Sequence, residues 1–393
     1  MVNTKHDTAS YESCSYQREI YNIEALYDAF IKAKKGSDWK PQVQRFEMNL
    51  LTELVRLQKE IKNRTFKFSP SNNFVLSERG KTRFISGDHI RDRVVKRALC
   101  DEILMPSIRK YLIYDNGASL KGKGIGFTRS RFETHLRRYY LKNKSNKGYI
   151  WLCDYTKYFD NIQHKILMNM FKEVINNDTA LWLLEMVLKK ARINVSFMSD
   201  KDYKNCLNVV FNSLEYQKID KSLLTGDKHM EKHLDIGDQV AQVAGVLYPT
   251  KIDNFIKIVK GIKYYGRYMD DSYIIHKDKD YLKELSKEIT EVANSIGISI
   301  HPKKTRICKL SKYWRFLQIQ YSLTDTGRII KKINPKRISS MRRKLKKLVK
   351  ILSKKEFINY YNSWFKNHYK IMSKIQRENA NKLFQKLKEE NYA

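Results

Sequence analysis

The chain has 393 residues, with 77 Lys plus Arg against 42 Asp plus Glu and a formal net charge of +35. Hydrophobic residues make up 42% of it, which allows a sizeable core and excludes a disordered basic tail. So large a positive excess points to a polyanionic partner, most economically nucleic acid. No apolar run is long enough to span a bilayer, the polar stretch Met1 to Gln17 lacks a signal-peptide core, and the five cysteines contain no Cys-x-x-Cys pair. A membrane partner, a zinc site and a disulfide framework are therefore not expected; a reducing cytoplasm is.

In chain order, residues 1–19 are polar and expected to be poorly ordered. Ile23, Leu26, Tyr27 and Phe30 recur at helical spacing over 20–35, and Trp39-Lys40-Pro41 interrupts them. Phe46, Leu50, Leu54, Leu57 and Ile61 then predict one longer amphipathic helix. Strands are expected at 65–68, 73–76 and 81–86, with Gly80 turning between the last two. Lys81 and Arg83 share one face of their strand, where two fixed cations suit a triphosphate. Gly117-Ala118-Ser119-Leu120-Lys121-Gly122-Lys123-Gly124 approaches a Walker A loop, but Gly124 stands where a Mg²⁺-ligating hydroxyl is needed, so an ATPase is rejected. Its Gly-Lys alternation suits a loop lying close to phosphates, with Lys121 and Lys123 as contacts. Arg129, Arg131, Arg137 and Arg138 decorate a helix to about Leu141.

Tyr149 to Cys153 reads as an apolar strand ending in Asp154. Asp160 is read as the cap of a helix beginning near Ile162. Residues 164–190 are expected to be helical, with Ile166, Met170, Val174, Leu181, Leu184 and Val187 buried, and 196–233 to be an insertion. Another helix is expected over 244–260, with Pro249 near its first turns. Aromatic and β-branched residues flank Asp270-Asp271, which predicts strand, tight turn and strand. Two adjacent like charges repel, and a divalent cation bound by hard oxygen ligands would reverse that. A helix over 280–296 follows. From Pro335, Lys336, Arg337, Arg342, Arg343, Lys344, Lys346 and Lys347 surround Ile338, Met341, Leu345, Leu348 and Ile351. That is an amphipathic helix whose basic face suits a duplex backbone.

Tyr268-Met269-Asp270-Asp271 resembles the YxDD box of reverse transcriptases, and the resemblance runs from roughly Ile20 to the C-terminus. Residues 83–95, from Arg83-Phe84-Ile85-Ser86 to Arg91-Asp92-Arg93-Val94-Val95, are similar to the R-x-I-S…R-D-R-V-V pattern of bacterial members. The run from Asp154 to Ile162, D-Y-T-K-Y-F-D-N-I, resembles motif A of group II intron, retron and related enzymes. Gly297 to Thr305 resembles motif D, and Tyr313 to Tyr321 the primer-grip hairpin, with Gln318 where Gly is usual. Ile236-Gly237 followed by Ala241-Gln242 departs from the common Gln-Gly motif B. It is similar to the I-G-x-x-x-S-Q variant of diversity-generating retroelement and some phage-defence enzymes, with Ala for Ser.

The resemblance implies an α+β right hand: N-terminal helices and fingers over 1–147, an antiparallel palm over 148–325 interrupted by the insertion, and a helical basic thumb over 326–393. It implies Asp154, Asp270 and Asp271 as catalytic carboxylates. With the Tyr155 backbone carbonyl they would hold two Mg²⁺ ions, Mn²⁺ being a substitute. Lys81, Arg83, Phe159, Gly237 and Lys304 would bind the nucleotide, Phe159 as the gate that favours dNTPs and Lys304 as an acid for pyrophosphate. Lys121, Lys123, Tyr268, Met269, Phe316, Leu317, Arg342, Arg343 and Lys346 would touch nucleic acid. The expected activity is RNA-directed DNA synthesis on a cognate noncoding RNA template in bacterial or prophage-encoded antiphage defence, with a second copy or an accessory protein as further partner. The rivals are a diversity-generating retroelement or retron enzyme and, from another class, an inactive basic RNA-binding scaffold.

Overall fold

The computed structural model describes residues 18–78 and 81–392; the polar leading segment 1–17 and the expected Gly80 turn lie outside the described residues. Strands in chain order are β1 (Asn72–Glu78), β2 (Lys81–Gly87), β3 (Tyr149–Cys153), β4 (Ile193–Asn194), β5 (His229–Met230), β6 (Tyr265–Tyr268), β7 (Asp271–His276), β8 (Arg306–Lys309), β9 (Trp314–Phe316), β10 (Ile319–Leu323) and β11 (Ile329–Ile333). The chain folds into two compact units, one of residues up to 112 with 157–250, the other of 113–156 with 251–393.

In the first unit, Asn22 caps the helix Ile23–Lys34. The single helix expected across Phe46 and Ile61 is two, Pro41–Met48 and Leu50–Lys62. They part at Asn49, whose side chain turns back to the Arg45 carbonyl (3.2 Å), a local bond that competes with the helix. No strand forms at 65–68. The Thr65 and Phe66 amides instead bond the Glu60 carbonyl at 2.8 and 3.1 Å, closing the helix before them. β1 and β2 pair as the expected hairpin, Asn72 opposite Gly87.

The helical stretch expected over 164–190 is broken into His164–Val174 and Asp178–Lys190, where Asn177 caps the second helix. Its buried face also differs. Leu167, Met168 and Phe171 are buried, while Ile166, Met170, Val174 and Leu181 are half-buried. In the first of these helices two apolar stripes one residue apart compete, and packing chose the other one, whereas Leu184 and Val187 of the second are buried as expected. Asp160 caps no helix. It accepts hydrogen bonds from Ser213 Oγ (2.7 Å) and His233 Nδ1 (3.2 Å), and Gln163 holds the cap position. The insertion is closed by the β4–β5 pair and packs Ile193, Val195, Met198, Phe211 and Met230 into its own small core. The helix expected over 244–260 starts earlier, at Gln239, because Asp238 caps it; it is interrupted at Tyr248 and Pro249 and resumes as Thr250–Asn254, running on into the π-helical turn Phe255–Val259.

The second unit is built on an antiparallel sheet of order β6-β7-β3-β8. Phe132, Leu136 and Tyr139 of the helix Ile125–Asn143 pack on Ile150 and Leu152 of β3 and on Tyr273 and Ile275 of β7. Those strand positions alternate by two, as one face of a sheet requires. A second sheet has the order β11-β10-β9. The helices Pro335–Leu348, Lys354–His368 and Lys374–Tyr392 follow and share a core of Met341, Leu345, Phe357, Tyr361 and Phe384. Ile351, expected in that seam, lies past the helix end and is 76% exposed. This mixture of helices with small antiparallel sheets is the expected α+β class. Among the described residues no helix is long and apolar enough to cross a membrane.

Candidate active site

The antiparallel ladder of β3 and β7 ends with Cys153 opposite Ser272. Continuing that register by one residue puts Asp154 beside Asp271, and both acids line one cleft of about 400 Å³. Asp270 belongs to the two-residue turn that joins β6 to β7, where Tyr268 pairs with Asp271. The strand, tight turn and strand expected from the sequence are thus present. Met269 occupies the first turn position with φ +54°, the left-handed backbone that tight hairpins need.

Asp154 is anchored from the opposite edge. Its carbonyl accepts from His301 N (2.8 Å), and Thr156 N donates to the Ser299 carbonyl (2.8 Å). Those two bonds flank the antiparallel Tyr155–Ile300 pair, so the N–H and C=O of Tyr155 itself point away from residues 299–301. Lys304 reaches back and places Nζ 2.7 Å from Asp154 Oδ1. The rest of the cleft is cationic, with Lys303, Arg306 and Arg315 exposed along it and Arg337 beside them. Its floor is the β9–β10 turn, where Leu317 and Gln318 have φ of 43° and 73°. Arg129 Nη2 donates to the Leu317 carbonyl (2.7 Å), and Arg337 bonds the Gln318 side chain.

Among the described residues no three His, Cys, Asp or Glu side chains gather as a ready metal-binding group. The cleft nevertheless offers carboxylate oxygens on two neighbouring strand ends, and the Lys304 ammonium already stands against Asp154 as a cation. Hard oxygen donors with a cation between basic walls suit a divalent ion and the phosphates that accompany it.

The model of the reverse transcriptase (RNA-dependent DNA polymerase) family matches residues 67–321, well over half of the chain. The chain belongs to the reverse transcriptase family. A search among curated proteins finds no match. This reverse transcriptase is thus an RNA-directed DNA polymerase, a nucleotidyltransferase of the right-hand fold, whose partners are an RNA template, a DNA product and nucleotides. Enzymes of the family generally work with divalent metal ions.

In the first unit, the Lys81 backbone pairs with Glu78 and its side chain lies outside the described residues, while Arg83 is half-buried opposite Leu76. Phe159 is half-buried in the turn Tyr158–Asn161, its ring 5.2 Å from that of Tyr158. Gly237 has φ +106°, and a Cβ there would meet Ile85 at an ordinary 3.6 Å, so backbone conformation rather than space calls for glycine.

In the second unit, Lys121 is exposed, but Lys123 Nζ donates to the Tyr114 and Asn116 carbonyls (2.6 and 3.1 Å) and pins its own loop. Phe316 and Leu317 are 3% and 7% exposed, so only their turn backbone can be offered to a nucleic acid. Arg342, Arg343 and Lys346 are exposed on the helix that buries Met341 and Leu345.

Sequence reasoning missed the cleft's basic wall of Lys303, Arg306, Arg315 and Arg337, because those residues lie on separate elements. It also passed over Arg267. A charged residue between Gly266 and Tyr268 in an otherwise uncharged strand was the available signal.

Proposed function

We propose that this reverse transcriptase extends DNA on an RNA template with Asp154, Asp270 and Asp271 as the carboxylates that hold two divalent ions, Mg²⁺ with Mn²⁺ as substitute. The Tyr155 carbonyl would be a further oxygen ligand. The observation that carries this reading is the shared end of the β3–β7 ladder, which brings Asp154 and Asp271 to one cleft. When bound, the ions would supply activation of the primer 3′-hydroxyl and neutralisation of the departing pyrophosphate.

The chain's own groups do the rest. Lys304, 2.7 Å from Asp154 Oδ1, serves as the proton donor to the leaving group. Lys81 and Arg83 clamp the triphosphate, Phe159 rejects a 2′-hydroxyl, and Gly237 shapes the motif B turn. Lys121, Arg342, Arg343 and Lys346 hold backbone phosphates, while Tyr268 and Met269 meet the primer terminus beside the acids.

The variant motif B, Ile236-Gly237 with Ala241-Gln242, supports a place among bacterial antiphage enzymes that copy a cognate noncoding RNA. Sequencing nucleic acid that copurifies with the chain identifies that template. The chemistry is tested by dNTP incorporation on an RNA template with Mg²⁺, with Asp270→Ala as control. Incorporation should fall to background in the variant. An inactive wild type, or a fully active variant, would reject the site.

A further inference from the structure

We infer that Arg267 is the positioning residue of the Tyr268–Asp271 turn: clamped by Asp253, it holds the Met269 carbonyl and keeps Met269 in the left-handed backbone that presents the two acids. The catalytic meaning of this rests on the function proposed above for Asp270 and Asp271; the geometry does not.

Arg267 is a guanidinium at 0% exposure in β6. Its Nε lies 2.9 and 3.1 Å from the two Asp253 carboxylate oxygens, and Nη2 lies 2.6 Å from Oδ2. Tyr265 Oη donates to the same carboxylate at 2.5 Å, so Asp253 cannot swing away. The Arg267 backbone is tied on both sides, N to the Asp115 carbonyl (3.2 Å) and O from Gly117 N (3.0 Å). Held this way, Nη1 donates to the Met269 carbonyl at 3.2 Å.

Met269 needs that hold. Its φ of +54° is one that a residue with a Cβ avoids, and Met has no side-chain bond that favours it. A buried ion pair gives little net stability over a packed apolar pair, so stability alone does not explain a charge here. A fixed fork beside a strained turn does explain it. Lys could not replace it, because a single ammonium cannot reach Asp253 and the turn carbonyl in two directions at once. The same device occurs at the other turn of the cleft, where Arg129 Nη2 holds the Leu317 carbonyl (2.7 Å) and Leu317 has φ 43°.

The test uses Arg267→Lys and, should that variant not fold, Asp253→Asn, which keeps the shape of the partner and loses its charge. Hydrogen exchange of the 265–273 peptide reads the turn without reference to catalysis. Exchange there should quicken about tenfold or more while β3 and the helix Ile125–Asn143 keep their protection. Single-nucleotide extension should show kcat lower by about 100-fold with KM for dNTP changed by less than about threefold, as expected for misplaced catalytic groups rather than lost binding. Unchanged protection of the turn, or a full kcat, overturns the assignment of Arg267. An inactive wild type would instead reject the catalytic reading of the acids and leave the exchange result to judge Arg267 by itself.

Discussion

His233 shows what a single residue can decide in this fold. It has φ +123°, is 3% exposed, and stands with Nδ1 3.2 Å from Asp160 and Nε2 3.4 Å from Asp235. Burial works against its charge, but bonds and charges from the two carboxylates outweigh that and lift its pKa to about 9. His164 faces it too, with Nε2 on the His233 carbonyl (2.6 Å), and burial lowers the His164 pKa to about 4, so that ring stays neutral. Because the folded pKa of His233 lies above its unfolded value, the imidazolium contributes stability in full below about pH 6.5, and this is lost as pH rises through about 9. The contribution is on the order of 3 kcal/mol. The thermal midpoint should therefore fall between neutral and alkaline pH in the wild type and fall less in His233→Gln; parallel curves would refute this. Lys304 makes a second prediction at this scale. Its ammonium competes with any cation for Asp154, so Lys304→Ala should bind Mn²⁺ more tightly by electron paramagnetic resonance and still lose roughly 100-fold in kcat.

At the scale of the element, the motif B turn is held by a buried charge network rather than by packing alone. Lys96, 3% exposed, bonds Asp88 at 2.7 Å and Asp238 at 2.5 Å, and Asp238 Oδ1 accepts from Val240 N (2.8 Å) to start the helix Gln239–Leu247. Asp238→Ala removes a cap and strips a buried ammonium of one partner, and should cost about 3–5 kcal/mol in urea unfolding. Gly237→Ala should cost about 1–2 kcal/mol from its positive φ alone, since the added methyl meets nothing closer than 3.6 Å. In the sequence Asp238 stands within a motif and nothing apolar beside it marks a cap, so the helix begins earlier than the apolar pattern predicts. The helices at 41–62 and 164–190 were overextended for the same kind of reason. Asn49 and Asn177 interrupt them through side-chain bonds that an apolar period does not register.

For the whole molecule, net charge is the dominant fact. With +35 spread over the chain, nucleic-acid affinity should fall steeply with salt. Arg342, Arg343 and Lys346 present three exposed cations from one helix. Replacing all three with Ala should reduce the slope of log affinity against log salt by roughly 2–3 on an RNA–DNA hybrid measured by anisotropy, with little change in the thermal midpoint. An unchanged slope would place the duplex elsewhere.

The sequence alone was sufficient for the charge, for the β3 strand ending in Asp154 and for the hairpin carrying Asp270 and Asp271, because local alternation and turn chemistry act over a few residues. The tertiary structure decided the Lys304–Asp154 pair, the Arg267–Asp253 clamp and the bonds of Asp160, because each joins groups far apart in the chain. Only packing brings such partners within reach, and no periodicity along the chain records which of them will meet.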